Sequence, residues 1–432
     1  MKKNYALLAA TLFLFSGAMA QNEKAADTRN CGSMEALEAQ LQQDPTLAKR
    51  MEQIEQHTAH YLEAQQTQKT ATVVRIPVVV HVVYRTTAQN VSNQMIYDQI
   101  AVLNRDFRKM NADAGSVPSH FAGLAADTEI EFCLATRDPQ GNPTTGITRT
   151  KTKKVSFSTN NGVKHSSTGG KDAWPAGQYL NLWVCNLGQS LLGYAQFPGG
   201  SAATDGVVVL YSSLPGGSAA PYNLGRTATH EVGHWLNRRH SWGDATCGND
   251  LVSDTPLHNT SNGGCPASNH RSTCSGTPLE MWMNYMDYTY DQCMYMFTTG
   301  QKTRMHAVLA PGGARYSLLS STGCNAPGAP AYTSAEDELR MADSDALIYP
   351  NPVSHDMTVA YTVEEAGATV SLEIYNALGQ RVSHIAVGKQ AAGNHRYSVN
   401  VHQQLGHLAN GAYMCVVKTG NNQRVIRFML AR

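Results

Sequence analysis

Three histidines, at positions 230, 234 and 240, constrain this chain more than any other feature. His230 and His234, in His230-Glu231-Val232-Gly233-His234, are four residues apart. A helix through them sets both imidazoles on one face, close enough to share a metal ion. His240 cannot reach that face if the helix continues, so the chain must turn sharply after His234. Asn237 stands where the turn is needed, and asparagine tolerates the left-handed backbone of a helix end better than most residues with a β-carbon. The pattern predicts a helix, an abrupt stop and a return loop that closes a three-nitrogen site with a fourth position open. Glu231 falls beside the metal, not on it, where its carboxylate can take a proton from a metal-bound water and pass it on. A purely structural zinc site has no need of that acid.

The chain has 432 residues, more than one ordinary domain requires. Lysine plus arginine number 34 against 33 acidic residues, so no net field recruits nucleic acid or an anionic membrane. Residues 1–20 read as a secretory signal: Lys2 and Lys3, an apolar run from Tyr5 to Phe15, and Ala18-Met19-Ala20 as the cleavage site. That run is shorter than the ~20 residues that span a bilayer, and no later segment is apolar enough to be transmembrane. Export implies an oxidising surrounding, so the nine cysteines are expected to be mostly disulfide-bonded with an odd one left over.

Residues 21–72 are rich in Gln, Glu and Ala, with helical spacing through Met34, Leu37 and Leu41 and again through Met51, Ile54 and Tyr61. One or two helices without a core of their own suit a removable prosegment; a solvated linker is the alternative. A domain is expected over 73–325. It opens on the β-branched run Val73 to Tyr84, followed by a helix capped by Ser92 and carrying Ile96, Ile100, Leu103 and Phe107. Strands are expected at Glu129 to Ala135, Leu180 to Cys185 and Val207 to Tyr211, with loop-rich sequence after the histidines. Residues 326–345 read as a linker, and 346–432 as a small all-β sandwich with strands at Thr358 to Val363, Val370 to Tyr375, His395 to Val401, Tyr413 to Lys418 and Arg424 to Leu430.

The three histidines with Asn284-Tyr285-Met286-Asp287-Tyr288 resemble the metzincin signature and its methionine turn. Taken with the sequence around His230 and on to Phe297, they resemble the pappalysin family over roughly Val73 to Cys324. The resemblance implies an α/β (α+β) metzincin-like catalytic domain with a mixed sheet and a long zinc-binding helix. It implies a zinc endopeptidase that hydrolyses peptide bonds of proteins. Met286 would support the ligands from below and Tyr288 would stabilise the oxyanion, while Leu192 to Phe197 looks like the cleft-edge strand that pairs with an extended substrate. The chain departs from the family at Asn237, where glycine is usual, and at Gln292, where an aspartate before the cysteine goes with arginine-directed cleavage. The same resemblance implies disulfides Cys247-Cys274 and Cys265-Cys293 and leaves Cys133, Cys185, Cys324 and Cys415 unassigned. It also implies calcium near Asp250, Asp254 and Thr255, hard oxygen donors in one loop.

Cys31, in Arg29-Asn30-Cys31-Gly32, offers a thiolate as fourth zinc ligand and resembles the cysteine switch of latent metzincins; a disulfide with an unassigned cysteine is the alternative. Ile348-Tyr349-Pro350-Asn351-Pro352, Ile374-Tyr375-Asn376, Leu378-Gly379-Gln380 and Gly411-Ala412-Tyr413 resemble the type IX secretion sorting domain of Bacteroidetes. That implies secretion to the medium or cell surface through the periplasm and the outer-membrane machinery of a Gram-negative bacterium. Two rival functions are a surface adhesin with a vestigial metal site and a zinc hydrolase of a non-peptide bond.

Overall fold

The computed structural model describes residues 29–65, 73–324 and, apart from 350–351, 354–355, 377–378, 407 and 421, residues 346–430. The expected leader 1–20 and linker 326–345, and Pro350, Asn351 and Leu378 of the tail motifs, lie outside the described residues. Two helices open the chain, α1 (Ser33–Gln43) and α2 (Leu47–Gln65). They are followed by β1 (Val74–Tyr84), α3 (Asn93–Phe107), a single turn α4 (Ser119–Ala122), β2 (Ile130–Leu134), β3 (Ile147–Lys151), β4 (Leu180–Cys185), β5 (Gly193–Ala195) and β6 (Val207–Leu210). The metal-site helix α5 (Arg226–Trp235) and α6 (Thr299–Leu309) complete this part.

The sheet runs β2-β1-β4-β6-β5, with β3 also on β1. All pairings are parallel except β5 on β6, which leaves antiparallel β5 as an edge. β1 is buried through most of its length, as a near-continuous β-branched run in a covered parallel sheet must be. The Ser92 hydroxyl accepts from Met95 N and starts α3, whose Ile96, Ile100, Leu103 and Phe107 are buried against the sheet. Each such side chain contributes about 1.5–3 kcal/mol. α5 lies in the same core through Ala228, Val232 and Trp235, and it is tied to α3 where Thr229 donates to Asp106 at 2.7 Å and Arg226 pairs with Asp106 at 2.9 Å. One face of the sheet therefore fixes the helix that carries the histidines.

The tail forms a second body. β10 (Arg381–Gln390), β9 (Ala368–Tyr375), β12 (Gly411–Thr419) and β13 (Asn422–Leu430) make one antiparallel sheet. β11 (Gly393–Asn400), β8 (Asp356–Val363) and β7 (Ala346–Tyr349) make the other, around a core of its own. The pairs Cys247–Cys274 and Cys265–Cys293 are those the resemblance implied, whereas the number of free thiols departs from expectation. Cys133–Cys324, Cys247–Cys274 and Cys265–Cys293 are bonded, and three thiols, not one, stay free: Cys31, Cys185 and Cys415. Cys185 and Cys415 sit inside separate cores, on β4 and β12, where neither can reach the other. No described helix is long and apolar enough to cross a membrane.

Candidate active site

All ten residues of α5 are buried, so its two histidines project into protein, not water. The helix stops at Trp235. Asn237 adopts φ 65°, and Arg238 N donates back to Gly233 O at 2.9 Å, reversing the chain toward His240. Each histidine ring is oriented through Nδ1: His230 by the Tyr285 carbonyl at 2.7 Å, His234 by the Arg238 carbonyl at 2.7 Å, and His240 by the Asp244 carboxylate. With Nδ1 committed, the three Nε2 lone pairs point inward, His234 Nε2 lying 3.1 Å from each of the others. Burial pushes His230 and His234 well below the ordinary histidine range, and the neighbouring histidines push the same way, so both rings stay neutral and able to coordinate.

Cys31 supplies a fourth donor: its Sγ and the three histidine nitrogens all lie within 4.8 Å of one another. Three imidazoles and one thiol, with oriented rings, are the donor set that tetrahedral zinc takes. Among the described residues this is the one such group. Burial, then Glu231, raises the Cys31 thiol.

Glu231 is buried, and burial pushes its carboxyl up to about 7 against the hydrogen bonds of Ser33 and Cys31. Ser33 donates to Glu231 Oε2 at 2.8 Å and accepts from Ala195 N at 2.8 Å, bridging the acid to edge strand β5. Gly32 N donates to Gly193 O at 2.9 Å and Leu192 N to Asn30 O at 2.9 Å, so Asn30 to Gly32 lies along β5 in parallel sense. At Gly193 a β-carbon would stand 2.8 Å from Glu231 Cγ and Oε1; a side chain there would displace the acid.

Met286 lies under the helix: a β-carbon at Gly233 would stand 2.4 Å from its Sδ. Asn284 holds the turn, accepting from Met286 N at 2.9 Å and donating to Gln301 at 2.9 Å, while Ser241 N donates to Met286 O at 3.2 Å and so ties the return loop to it. The Tyr288 ring lies 5.7 Å from His230 and 5.0 Å from His240, its hydroxyl reaching the Cys31 backbone, and burial raises it.

Gln292 is exposed, its amide 3.6 Å from Cys265 Sγ. The buried acid at this corner is its neighbour Asp291. Arg29, four residues before α1, pairs with Asp291 Oδ1 at 2.5 Å, donates to Thr227 at 3.1 Å and lies 4.9 Å over the Tyr222 ring. Arg29, Ser33 and Asp291 are the site neighbours that the sequence reading passed over. Asp291 adjoins Gln292, and Arg29 and Ser33 stand two residues to either side of Cys31, which was the available signal. Of the three calcium candidates, Asp250 Oδ1 accepts from Thr255 at 2.8 Å, whereas Asp254 is turned to the start of α6, accepting from Thr298 at 2.6 Å and Gly300 N at 2.8 Å. The structure brings two together and leaves the third apart.

Comparison with known proteins gives consistent likenesses. Residues 164–310 match the peptidase family described as pregnancy-associated plasma protein-A, and residues 347–431 match the secretion system C-terminal sorting domain. An extracellular metalloprotease of Verticillium alfalfae is 34% identical over 322 residues, covering 71% of this chain and 96% of that protein. One of Neurospora crassa is 34% identical, covering 54% and 73%. Among solved structures, a promirolysin variant of Tannerella forsythia is 46% identical with a TM-score of 0.62, covering 68% of this chain and 97% of that one. Mature mirolysin in complex with a cleaved peptide is 51% identical with a TM-score of 0.56, covering 58% and 97%.

Proposed function

This chain belongs to the pappalysin family and is a secreted zinc metalloprotease, and on that footing we propose that it is an endopeptidase held latent by Cys31 until its prosegment is removed. The observation that carries the reading is the convergence of three oriented Nε2 atoms with Glu231 beside them, against the edge strand β5. Zinc on His230, His234 and His240 would polarise a peptide carbonyl and acidify the attacking water. Edge strand β5 offers its main chain to an extended polypeptide, which favours protein segments over small esters or amides. Glu231 takes the proton of the attacking water and returns it to the leaving amine. The Tyr288 hydroxyl donates to the oxygen on which charge develops, and Met286 keeps the histidines from sinking away from the cleft.

In the latent chain Cys31 serves as fourth ligand, while Ser33 ties up both Glu231 and the Ala195 amide. Arg29 occupies the pocket over Asp291, and in the mature enzyme an arginine following the cleaved bond takes its place. The same proposal divides the chain into leader 1–20, prosegment 21–72, catalytic domain 73–325, linker 326–345 and sorting domain 346–432. That last domain is read by the outer-membrane machinery of a Bacteroidetes-like cell. Calcium belongs to it as well, held by Asp250 and Thr255.

Activated protein, Glu231→Ala and a chelator-treated sample, each incubated with a denatured protein, test the endopeptidase reading. Loss of the base is expected to lower cleavage on the order of 10²–10⁴-fold. Intact substrate in all three samples would sink it and favour the adhesin, a chelator-sensitive esterase that leaves proteins whole would favour the non-peptide hydrolase, and unimpaired cleavage by Glu231→Ala would remove Glu231 as the base.

A further inference from the structure

Among the described residues, 29–65 meet the rest of the chain beside the histidines and again along α2. α2 lies across the far end of α5 and along α6, with Leu47 buried and Ile54 packed on the main core, and directed polar contacts add to this packing. Arg50 Nε donates to Gly199 O at 2.7 Å, and His57 Nε2 lies 3.0 Å from Ala307 O. At the centre stands Glu55. Its Oε1 accepts from Asn237 Nδ2 at 2.8 Å, and its Oε2 pairs with Arg304 at 2.6 Å.

Asn237 has a backbone role, since it ends the metal helix at φ 65°. Glycine would fill that role with less strain, so the backbone alone does not account for a side chain at this position. The amide that reaches Glu55 does. Arg304 is 6% exposed, its Nε without a hydrogen-bond partner among the described residues. Next to it Arg238 is fully buried, with Nε and Nη1 likewise unpartnered. Glu55 and Asp250 are the carboxylates that face Arg238, and Arg304 repels it. Two guanidinium groups packed this closely out of water demand a carboxylate, and half of that demand is met from the prosegment. Removing α2 leaves a socket of two buried cations and one amide donor.

We propose that Asn237 and Arg304, backed by Arg238, form a carboxylate-binding socket through which α2 docks independently of the Cys31 plug, so that a cut prosegment stays on the enzyme until this contact fails. The proposal rests on reading residues 21–72 as a prosegment. It makes activation a two-step process, in which chain scission precedes release and the Glu55 carboxylate of α2 is the ligand of the exposed socket.

The test uses the full chain, with a recognition sequence for a site-specific protease installed between Gln65 and Val74. After cutting, gel filtration over a dilution series measures whether the fragment with α1 and α2 co-elutes with the remainder. The unaltered fragment is expected to be retained. Glu55→Gln and Glu55→Ala should be released at concentrations on the order of tenfold higher or more, the worth of a lost charge-assisted contact. Arg304→Met on the other side should match them, and cut Cys31→Ala should still retain its fragment. Retention of Glu55→Ala as tight as the unaltered fragment overturns the proposal, and so does release by Cys31→Ala alone. Because retention is read by elution, it decides the docking claim separately from the thiol switch, which fails if uncut Cys31→Ala is no more active than the uncut parent.

Discussion

A carboxylate as deeply buried as Asp291 survives only with its lone pairs filled. Oδ2 accepts from Leu224 N and Arg226 N at the start of α5, which leaves Oδ1 for Arg29. If residues 21–72 are removed as proposed, Arg29 leaves with them and Asp291 Oδ1 is left to select another cation. Asp291→Asn keeps an acceptor for the helix start and removes the charge. Peptide-library cleavage by the activated variant should show the preference for arginine after the cut reduced about tenfold or more, with the melting temperature as a check on folding. An undiminished preference in a folded variant would remove Asp291 from the pocket. The sequence led to the neighbouring Gln292 because a family pattern names a position before the cysteine, not a direction. Asp291 to Cys293 forms a single 3-10 turn, and Cys293 is fixed by its bond to Cys265, so Gln292 is turned outward and Asp291 inward. Adjacent side chains on so tight a turn differ only in rotation, which spacing does not encode. The three histidines, by contrast, were legible, because four and six residues of separation dictate a helix and its end.

At the scale of elements, the site depends on how closely β5 approaches α5. Gly193 is the contact point: an added β-carbon would lie 2.8 Å from Glu231 Oε1 and 2.9 Å from Val208 O, so neither the acid nor the strand pairing can give way freely. Gly193→Ala should lower kcat/KM at least tenfold in the activated enzyme, since displacements near 1 Å at a reacting group cost on the order of 10²-fold. Zinc content should stay unchanged, because no histidine is touched. A variant that loses its zinc would place the damage in α5 and not in the acid. The strands β1, β4 and β6 were legible because burial on both faces makes them dense in valine, leucine and isoleucine. β3 was not, since Ile147-Thr148-Arg149-Thr150-Lys151 is half-exposed and its place on β1 is a long-range pairing. β10 escaped for the same reason: its residues from Arg381 to Gln390 alternate weakly, and only Ile385 is buried.

Among the described residues, the largest apolar cluster of the first body and that of the tail share no residue. One is built from the mixed sheet with α3, α5 and α6, the other from the two sheets of the tail. Cooperative unfolding propagates through shared packing, so these bodies should melt as separate calorimetric transitions. The histidines, Glu231 and the loop with Asp250 all belong to the first body. Zinc binds its folded form, so at ligand excess the transition rises by RT ln(1 + [L]/Kd), about 2.7 kcal/mol at a hundredfold excess over Kd. Chelation should therefore lower one transition and leave the other in place. Zinc returned alone should restore the ligand-dependent part, and calcium added afterwards should raise the same transition further if Asp250 and Thr255 hold it, an increment that Asp250→Asn should lose. A chelator that shifts both transitions equally would mean that the tail is energetically continuous with the catalytic body. The sorting domain could then not be removed after export without disturbing the protease, so the independence of the two melts bears directly on whether the tail is a detachable address.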